Sequence, residues 1–556
     1  MVADQDLKNH SAAAVGATEV VSVPTLGGLI DGVAATLSLG PIARTSASFA
    51  VEAAKIVAGK SEIAPARGDL RFKDRAWTEN PIYSRVAKLY LAGCKATDSM
   101  VEAVASNASD ERAERTRFVM NVVTSAVAPT NTLLGNPAAI KRTFDTGGVN
   151  LVRGFKNLAG DVRHNGGMPS MAKRGALKVG EDLALTPGSV VDKDDVAEVI
   201  HYWPTTDTVL ERPTLIVPPP IGRYYFLDLR PGRSFVEYGV SRGMQTFIIS
   251  WRNPSSDQSE WSVDTYAQRI LDAIATVREV SGADEVNVIG FCAGGILNTA
   301  VLNKLAATGD SSVGSVSYAV TLLDFGQSAP ISAFSSARLI DFARWRAKQV
   351  GVTSARAMGS AFTWMRPNDL VWNYWVNNYL MGEDPPVFDI LAWNADGTNL
   401  PGALHRQFLD IFRHNPIPTP GGWTAVGLPV DLRTIKIPAY VVGAVNDHLT
   451  PWKGTFRTAE LLGGDNTYVL SNAGHIASLV NPPGNPKASY FVGSMDSGGP
   501  DEWLEGATKK AGSWWENWAD WVTERAGRRV EAPTSLGSAQ HPPQCAAPGT
   551  YVRQAN

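Results

Sequence analysis

The chain has 556 residues, 44% of them hydrophobic, with a formal net charge of -3, which describes an ordinary globular protein with room for two or more substantial cores. That balance argues against nucleic acid as the main partner, because no strongly basic domain supplies a field for phosphates. Cys94, Cys292 and Cys545 are too few and too far apart for a disulfide framework or a paired metal site, and the scattered histidines contain no H-E-x-x-H; free thiols fit a reducing cytosol.

Residues 1–60 are alanine-rich and mildly amphipathic, without the charged, apolar and small-residue succession of a secretory signal. They are expected to form a tail with a helix or two. No run anywhere approaches the ~18 to 20 apolar residues of a membrane span. Residues 61–190 read as a helical domain. Within it "NLVRGFKNLAGDV" sets Leu151, Val152, Phe155, Leu158, Ala159 and Val162 at helical spacing, predicting one core-facing stripe.

From about Asp194 the pattern changes to short β-rich runs: "AEVIHYW", "PTLIVPP", "TFIISW", "EVNVIG", "VSYAVTLLD", "AYVVGA" and "TYVLS". Apolar strands alternating with helices predict a mostly parallel, doubly wound sheet covered on both faces. Residues 191–556 are therefore expected to be one α/β catalytic domain. About a hundred residues between Asp324 and Ala439, rich in tryptophan (Trp345, Trp364, Trp372, Trp375, Trp393), are too long for a crossover and too apolar for a loop. They predict a cap inserted at about 325–430, with most of these tryptophans in its core and one or two lining a channel.

"VNVIGFCAGGILNTA", residues 286–300, ends a predicted strand in Gly290-Phe291-Cys292-Ala293-Gly294-Gly295 and continues at helical spacing. With serine at 292 this would be the nucleophile elbow of an α/β-hydrolase, and that fold is the one expected. The helix N-terminus favours a thiolate at Cys292. Two later strands end in "NDHLTPW", with Asp447, and "SNAGHIASL", with His475. Nucleophile, acid and histidine thus follow in hydrolase order, with His475 on the loop after the last strand where the base belongs. His448 is adjacent to the acid but in the wrong place for the base, and Asp324 is the weaker candidate acid. Sulfur selects the substrate class. A thiolate exchanges readily with a thioester, whereas against an oxygen ester it would be the better leaving group and the intermediate would revert. Cys292 therefore points to acyl transfer from acyl-CoA through a covalent intermediate, and a water-excluding cap favours transfer to an alcohol over hydrolysis.

Further stretches give the chain a family likeness: "FIISWRNP" (247–254), "MRPNDLVWNYWVNNYLMGEDPPVFDILAWN" (365–394), "SNAGHIASLVNPPGNPKASY" (471–490), "GSWWENWADW" (512–521) and, earlier, "APTNTLLGNPAAIKRTFDTGG" and "HNGGMPS". From about Arg71 onward the sequence resembles the single-subunit polyhydroxyalkanoate synthases. The resemblance implies polymerisation of (R)-3-hydroxyacyl-CoA with release of CoA, the thioester being substrate and no cofactor being needed. It implies Cys292 as nucleophile and His475 as general base. Asp447 would either orient His475 or, as often assigned in that family, activate the 3-hydroxyl of the incoming monomer. On the second assignment an Asp447→Asn variant should acylate in a burst and then stall, and that is the outcome expected. A homodimer, cytoplasmic and bound to the growing polyester at the granule surface, is also implied, with the N-terminal region serving granule, partner or dimer contacts. Where the family reads close to "PPxIN", this chain reads Pro218-Pro219-Pro220-Ile221-Gly222-Arg223. Pro220 has no N–H, so the backbone N–H groups of Ala293 and Ile221 are the expected oxyanion donors. Length and the "NPPGNPKA" stretch lean toward the medium-chain type, and the monomer length stays open. The competing enzyme reading is a cysteine-dependent α/β-hydrolase of the thioesterase kind, and the non-enzymatic one is a granule coat protein.

Overall fold

The computed structural model describes residues 39–106, 110–326, 337–496 and 498–554. Most of the expected N-terminal tail, residues 1–38, lies outside the described residues. The chain divides into two compact units. One holds the described residues through Arg174 together with those of Pro330–Leu339 and Arg356–Phe388, and the other those of Gly175–Ala329, Ile340–Ala355 and Asp389–Asn556. The region expected as a single cap at 325–430 is thus shared between the units.

The first unit is helical: α1 (Leu39–Val57), α2 (Pro81–Ala105), α3 (Asp110–Ala126), α4 (Pro137–Asp145) and α5 (Val149–His164). Asn136 caps α4 by accepting from the Ala139 N–H at 3.1 Å, with proline at the first helical position. Gly147 and Gly148, at φ 58° and 85°, make the turn into α5 that side chains resist.

The apolar stripe expected to bury α5 is instead largely exposed, with Val152 and Phe155 each 72% exposed and Leu151 and Leu158 half-buried. The buried positions are Asn150, Gly154 and Asp161. Their partner is a wide, π-helical segment at Asn368–Trp372 and Trp375–Leu380. The Asn150 Nδ2 donates to the Leu380 carbonyl at 2.7 Å, and the Tyr379 hydroxyl donates to Asp161 at 2.7 Å. A Cβ on Gly154 would stand 1.9 Å from the Tyr379 carbonyl oxygen. Backbone approach and buried hydrogen bonds, which hydrophobic spacing does not encode, choose the inner face.

The second unit is built on an eleven-stranded sheet. Its strands are β1 (Gly188–Lys193), β2 (Ala197–Tyr202), β3 (Thr214–Val217), β4 (Thr246–Trp251), β5 (Val286–Phe291), β6 (Val313–Ala319), β7 (Ala439–Ala444), β8 (Asn466–Ser471), β9 (Ser489–Val492), β10 (Thr508–Ala511) and β11 (Cys545–Ala546). Their order is β10-β9-β8-β7-β6-β5-β3-β4-β2-β1-β11. The six strands from β8 to β4 are parallel, and the flanking strands pair antiparallel.

Every residue of β5 and β7 is buried, as central parallel strands require. Alternate side chains enter two cores. Phe247 and Ile249 face one that includes α6 (Val263–Ser281) and α7 (Ala293–Thr308). Ile248 and Phe291 face another filled by Trp514, Trp515 and Trp518. These three are fully buried, whereas none of the five tryptophans of which most were expected in a cap core is. Trp345 is 58% exposed, and Trp364, Trp372, Trp375 and Trp393 are half-buried. Cys545 pairs with Val190 at the sheet edge, where burial pushes its thiol up. Among the described residues no helix is long and apolar enough to cross a membrane.

Candidate active site

The sharp turn between β5 and α7 falls on Cys292, at φ 50° and ψ -121°. A non-glycine residue there costs roughly 1–3 kcal/mol and persists only where its surroundings over-determine it. Three hydrogen bonds do so: the Cys292 N–H donates to the Ala319 carbonyl at 2.8 Å, and the Cys292 carbonyl accepts from the Gly295 N–H at 3.0 Å and the Thr321 hydroxyl at 2.9 Å.

Each glycine of the box has a steric reason. A Cβ on Gly290 would come within 2.7 Å of the Gly295 Cα. One on Gly294 would lie 2.3 Å from the Val217 carbonyl oxygen, and one on Gly295 would lie 2.3 Å from the Thr321 Oγ1. Contacts below about 3 Å force something to move, and what stands in the way is backbone at Gly290 and Gly294 and the fully buried Thr321 side chain at Gly295. The turn thus brings Cys292 over the C-terminal edge of the parallel strands, beside the loop that follows β3, where such sheets bind ligands.

Asp447 follows β7, and His475 opens the short helix His475–Leu479 after β8. The Asn446 N–H donates to the Ala473 carbonyl at 3.0 Å and ties the two loops together. The Asp447 Oδ1 accepts from the backbone N–H groups of Leu449 (2.8 Å) and Thr450 (2.9 Å). Its Oδ2 accepts from the Thr450 hydroxyl (2.6 Å) and lies 2.7 Å from the His475 Nδ1. The carboxylate side chain is fully buried.

Burial raises the Asp447 carboxyl, but the charge and hydrogen bond of His475 and the Thr450 donors outweigh it and hold the group below its ordinary range. Burial lowers His475, but the Asp447 charge, followed by charge and hydrogen bonding at Cys292, pushes it up to about 10. Asp447 therefore strengthens His475 as a proton acceptor.

Cys292, His475 and Asp447 come together. His448 is half-buried one residue past the acid, but the ring bonded to the Asp447 carboxylate belongs to His475. Asp324 lies five residues beyond the end of β6, where it accepts from the Asn415 Nδ2 at 2.7 Å and stands 3.7 Å from Arg457. The strained Val320, at φ 44°, ends the strand earlier than "VSYAVTLLD" suggests. Ala293 is buried at the start of α7. Ile221 is half-buried in a loop fixed by the Thr398 hydroxyl on the Pro220 carbonyl (2.8 Å) and by Arg223 Nη1 on the Tyr551 carbonyl (3.0 Å).

Sequence reasoning missed Thr450 and Thr321. The first carried a faint signal, a hydroxyl three residues past the acid, which is the reach of a turn that caps its own carboxylate. The second carried none, since its partner lies 29 residues earlier. Among the described residues no group of three or more histidine, cysteine or acidic side chains could hold a metal ion.

A family model described as the N-terminus of poly-beta-hydroxybutyrate polymerase (PhaC) matches residues 68–239, and one for the alpha/beta hydrolase fold matches residues 233–482. Poly(3-hydroxyalkanoate) polymerase 1 of Ectopseudomonas oleovorans is 44% identical over 512 residues, 92% of this chain and 91% of that protein. Polymerase 2 of the same organism is 43% identical over 499 residues, covering 90% and 89%. The poly(3-hydroxyalkanoate) polymerase subunit PhaC of Cupriavidus necator is 35% identical over 553 residues, covering 98% and 92%. With identity at this level along nearly the whole of each partner, the chain belongs to the poly(3-hydroxyalkanoate) polymerase family and is an acyltransferase with an α/β-hydrolase fold.

Proposed function

We propose that the chain polymerises (R)-3-hydroxyacyl-CoA into polyhydroxyalkanoate with release of CoA, through an acyl thioester on Cys292. His475 takes the proton of the Cys292 thiol, and the sulfur attacks the thioester carbonyl. The tetrahedral oxyanion is held by the backbone N–H groups of Ala293 and Ile221. Its collapse expels the CoA sulfur, which leaves with the proton from His475. In the second half-reaction a 3-hydroxyl gives its proton to His475 and attacks the acyl-Cys292 carbonyl. The new ester forms, and the Cys292 sulfur is released and reprotonated.

The observation that carries this reading is the buried Asp447–His475 hydrogen bond at 2.7 Å, which sets the ring in place and raises its affinity for a proton. That arrangement lets one histidine serve both half-reactions. The same geometry favours orientation of His475 as the role of Asp447. Both of its oxygens are occupied by four donors, and its side chain is out of reach of a substrate hydroxyl. The reading accordingly replaces the burst-then-stall behaviour expected from the family resemblance with uniform slowing in Asp447→Asn. A homodimer working at the surface of the polymer granule in the cytoplasm belongs to the same reading and rests on the family resemblance.

The test is incubation of the purified protein with 3-hydroxybutyryl-CoA and longer homologues, following CoA and insoluble polymer together. CoA released in step with polymer is expected. CoA released with free 3-hydroxy acid and no polymer would make the protein a thioesterase-like cysteine hydrolase.

A further inference from the structure

We propose that Thr321 is a positioning residue for acyl transfer: its hydroxyl, bonded to the Cys292 carbonyl, aims the Ala293 N–H at the oxyanion. The inference rests on the reaction proposed above. The peptide between Cys292 and Ala293 is planar and trans, so its carbonyl and its N–H point in opposite directions. Whatever fixes the Cys292 carbonyl therefore fixes the direction of the Ala293 N–H. Of the hydrogen bonds made by the Cys292 backbone, two come from other backbone groups, and Thr321 supplies the side-chain donor, at 2.9 Å.

Thr321 is itself tightly held. It is fully buried, and its own carbonyl accepts from the Thr458 hydroxyl at 3.1 Å, while the Leu323 N–H donates to the same hydroxyl at 3.0 Å. The preceding Val320 adopts φ 44°, a conformation that β-branched residues resist, and its N–H donates to the Val442 carbonyl at 2.8 Å. A second strained turn thus stands directly beside the strained elbow and delivers one hydroxyl to it. The neighbouring glycine completes the device, because any side chain at Gly295 would meet the Thr321 Oγ1 at 2.3 Å. A donor direction set in advance stabilises charge that exists only in the transition state. Its loss should therefore appear in kcat and leave KM alone.

The experiment compares Thr321→Val, which keeps the shape and removes the hydroxyl, with Thr321→Ser, which restores a hydroxyl. Both are measured in the full chain for CoA release from 3-hydroxybutyryl-CoA and for alkylation of Cys292 by iodoacetamide. Alkylation is a direct displacement that builds no oxyanion, so it reports on the sulfur alone. Thr321→Val should lower kcat about 10- to 100-fold, less than deletion of an oxyanion donor, with KM and the alkylation rate unchanged. Thr321→Ser should recover most of kcat. The proposal is overturned if Thr321→Val keeps its kcat, if Thr321→Ser is as impaired as Thr321→Val, or if alkylation falls in parallel with turnover. Cys292→Ala tests the underlying reaction separately: if it still releases CoA, that reading fails whatever Thr321 does.

Discussion

Two helices separated by about 130 residues of chain show opposite relations between pattern and burial. The helix that starts at Ala293 is buried along nearly its whole first three turns, polar Asn298, Thr299 and Asn303 included. The helix at Val149–His164 has the clear amphipathic spacing, yet it exposes Val152, Phe155 and Val162 and buries Asn150, Gly154 and Asp161. In both, the deciding contact is a glycine against a carbonyl oxygen: Gly294 against Val217 and Gly154 against Tyr379. In the first case strand, turn and helix are local, so the glycines announce the geometry. In the second the partner lies more than 200 residues away, and a lone glycine announces nothing. Close backbone approach outranks hydrophobic spacing as a guide to which face is buried.

The comparison can be broken first at the elbow. Cys292→Ala should abolish CoA release while leaving the thermal midpoint within a few degrees of the parent, since the residue is half-buried and is the nucleophile of the proposed reaction. Residual turnover above background in a folded variant would remove the elbow from the chemistry.

Next in size is Asp447→Asn. It should slow first acylation and elongation alike, by up to the ~10⁴-fold seen when a triad acid becomes an amide. A single turnover with radiolabelled 3-hydroxyacyl-CoA reads both steps, and a full-rate burst followed by stalling would return the hydroxyl-activating role to Asp447.

The same pair predicts a pH effect. The folded His475 is raised above its unfolded value, so its charged form stabilises the protein fully below about pH 6.5, and that contribution is lost as pH rises through about 10. The gap in thermal midpoint between the parent and His475→Gln should therefore narrow from pH 6.5 to 10. A gap that widens over that range contradicts the ion-pair reading.

At the other helix, Gly154→Ala should destabilise by about 1–3 kcal/mol, the usual cost of overpacking, because its Cβ would stand 1.9 Å from a backbone oxygen. Denaturant unfolding followed by far-UV circular dichroism measures it, and a neutral result would mean that the face at Gly154 is not the packed one. The smallest effect is expected for Val152→Ser with Phe155→Ser. Each residue is 72% exposed, so each change should stay within about 0.5 kcal/mol. A loss of several kcal/mol would restore the hydrophobic stripe to the core.

How much of this was legible in the sequence depends on the distance between partners. The parallel strands from Thr214 to Ser471 announced themselves as unbroken apolar runs, since strands covered on both faces need no polar side. The antiparallel strands at Gly188–Lys193 and Ser489–Val492 did not, because the first ends in the charged Asp192 and Lys193 and the second is a half-buried stretch of four residues. The order Cys292, Asp447, His475 and the ends of their strands were written in the chain, and so was the need for small residues at 290, 294 and 295. Whether Asp447 had lone pairs left for a substrate was not, because the turn at Leu449 and Thr450 and the ring of His475 fill them only once folded. Nor was the hydroxyl of Thr321 beneath the elbow, the inner face of Val149–His164, or the placement of Trp514, Trp515 and Trp518 in a sheet-facing core. The sequence by itself determined the strands, the elbow and the residue types that can carry thioester chemistry, because these depend on neighbours a few positions apart. Tertiary structure alone decided which polar groups are satisfied and which faces close together, because hydrogen bonds and backbone approach between distant segments exist only when the chain is packed.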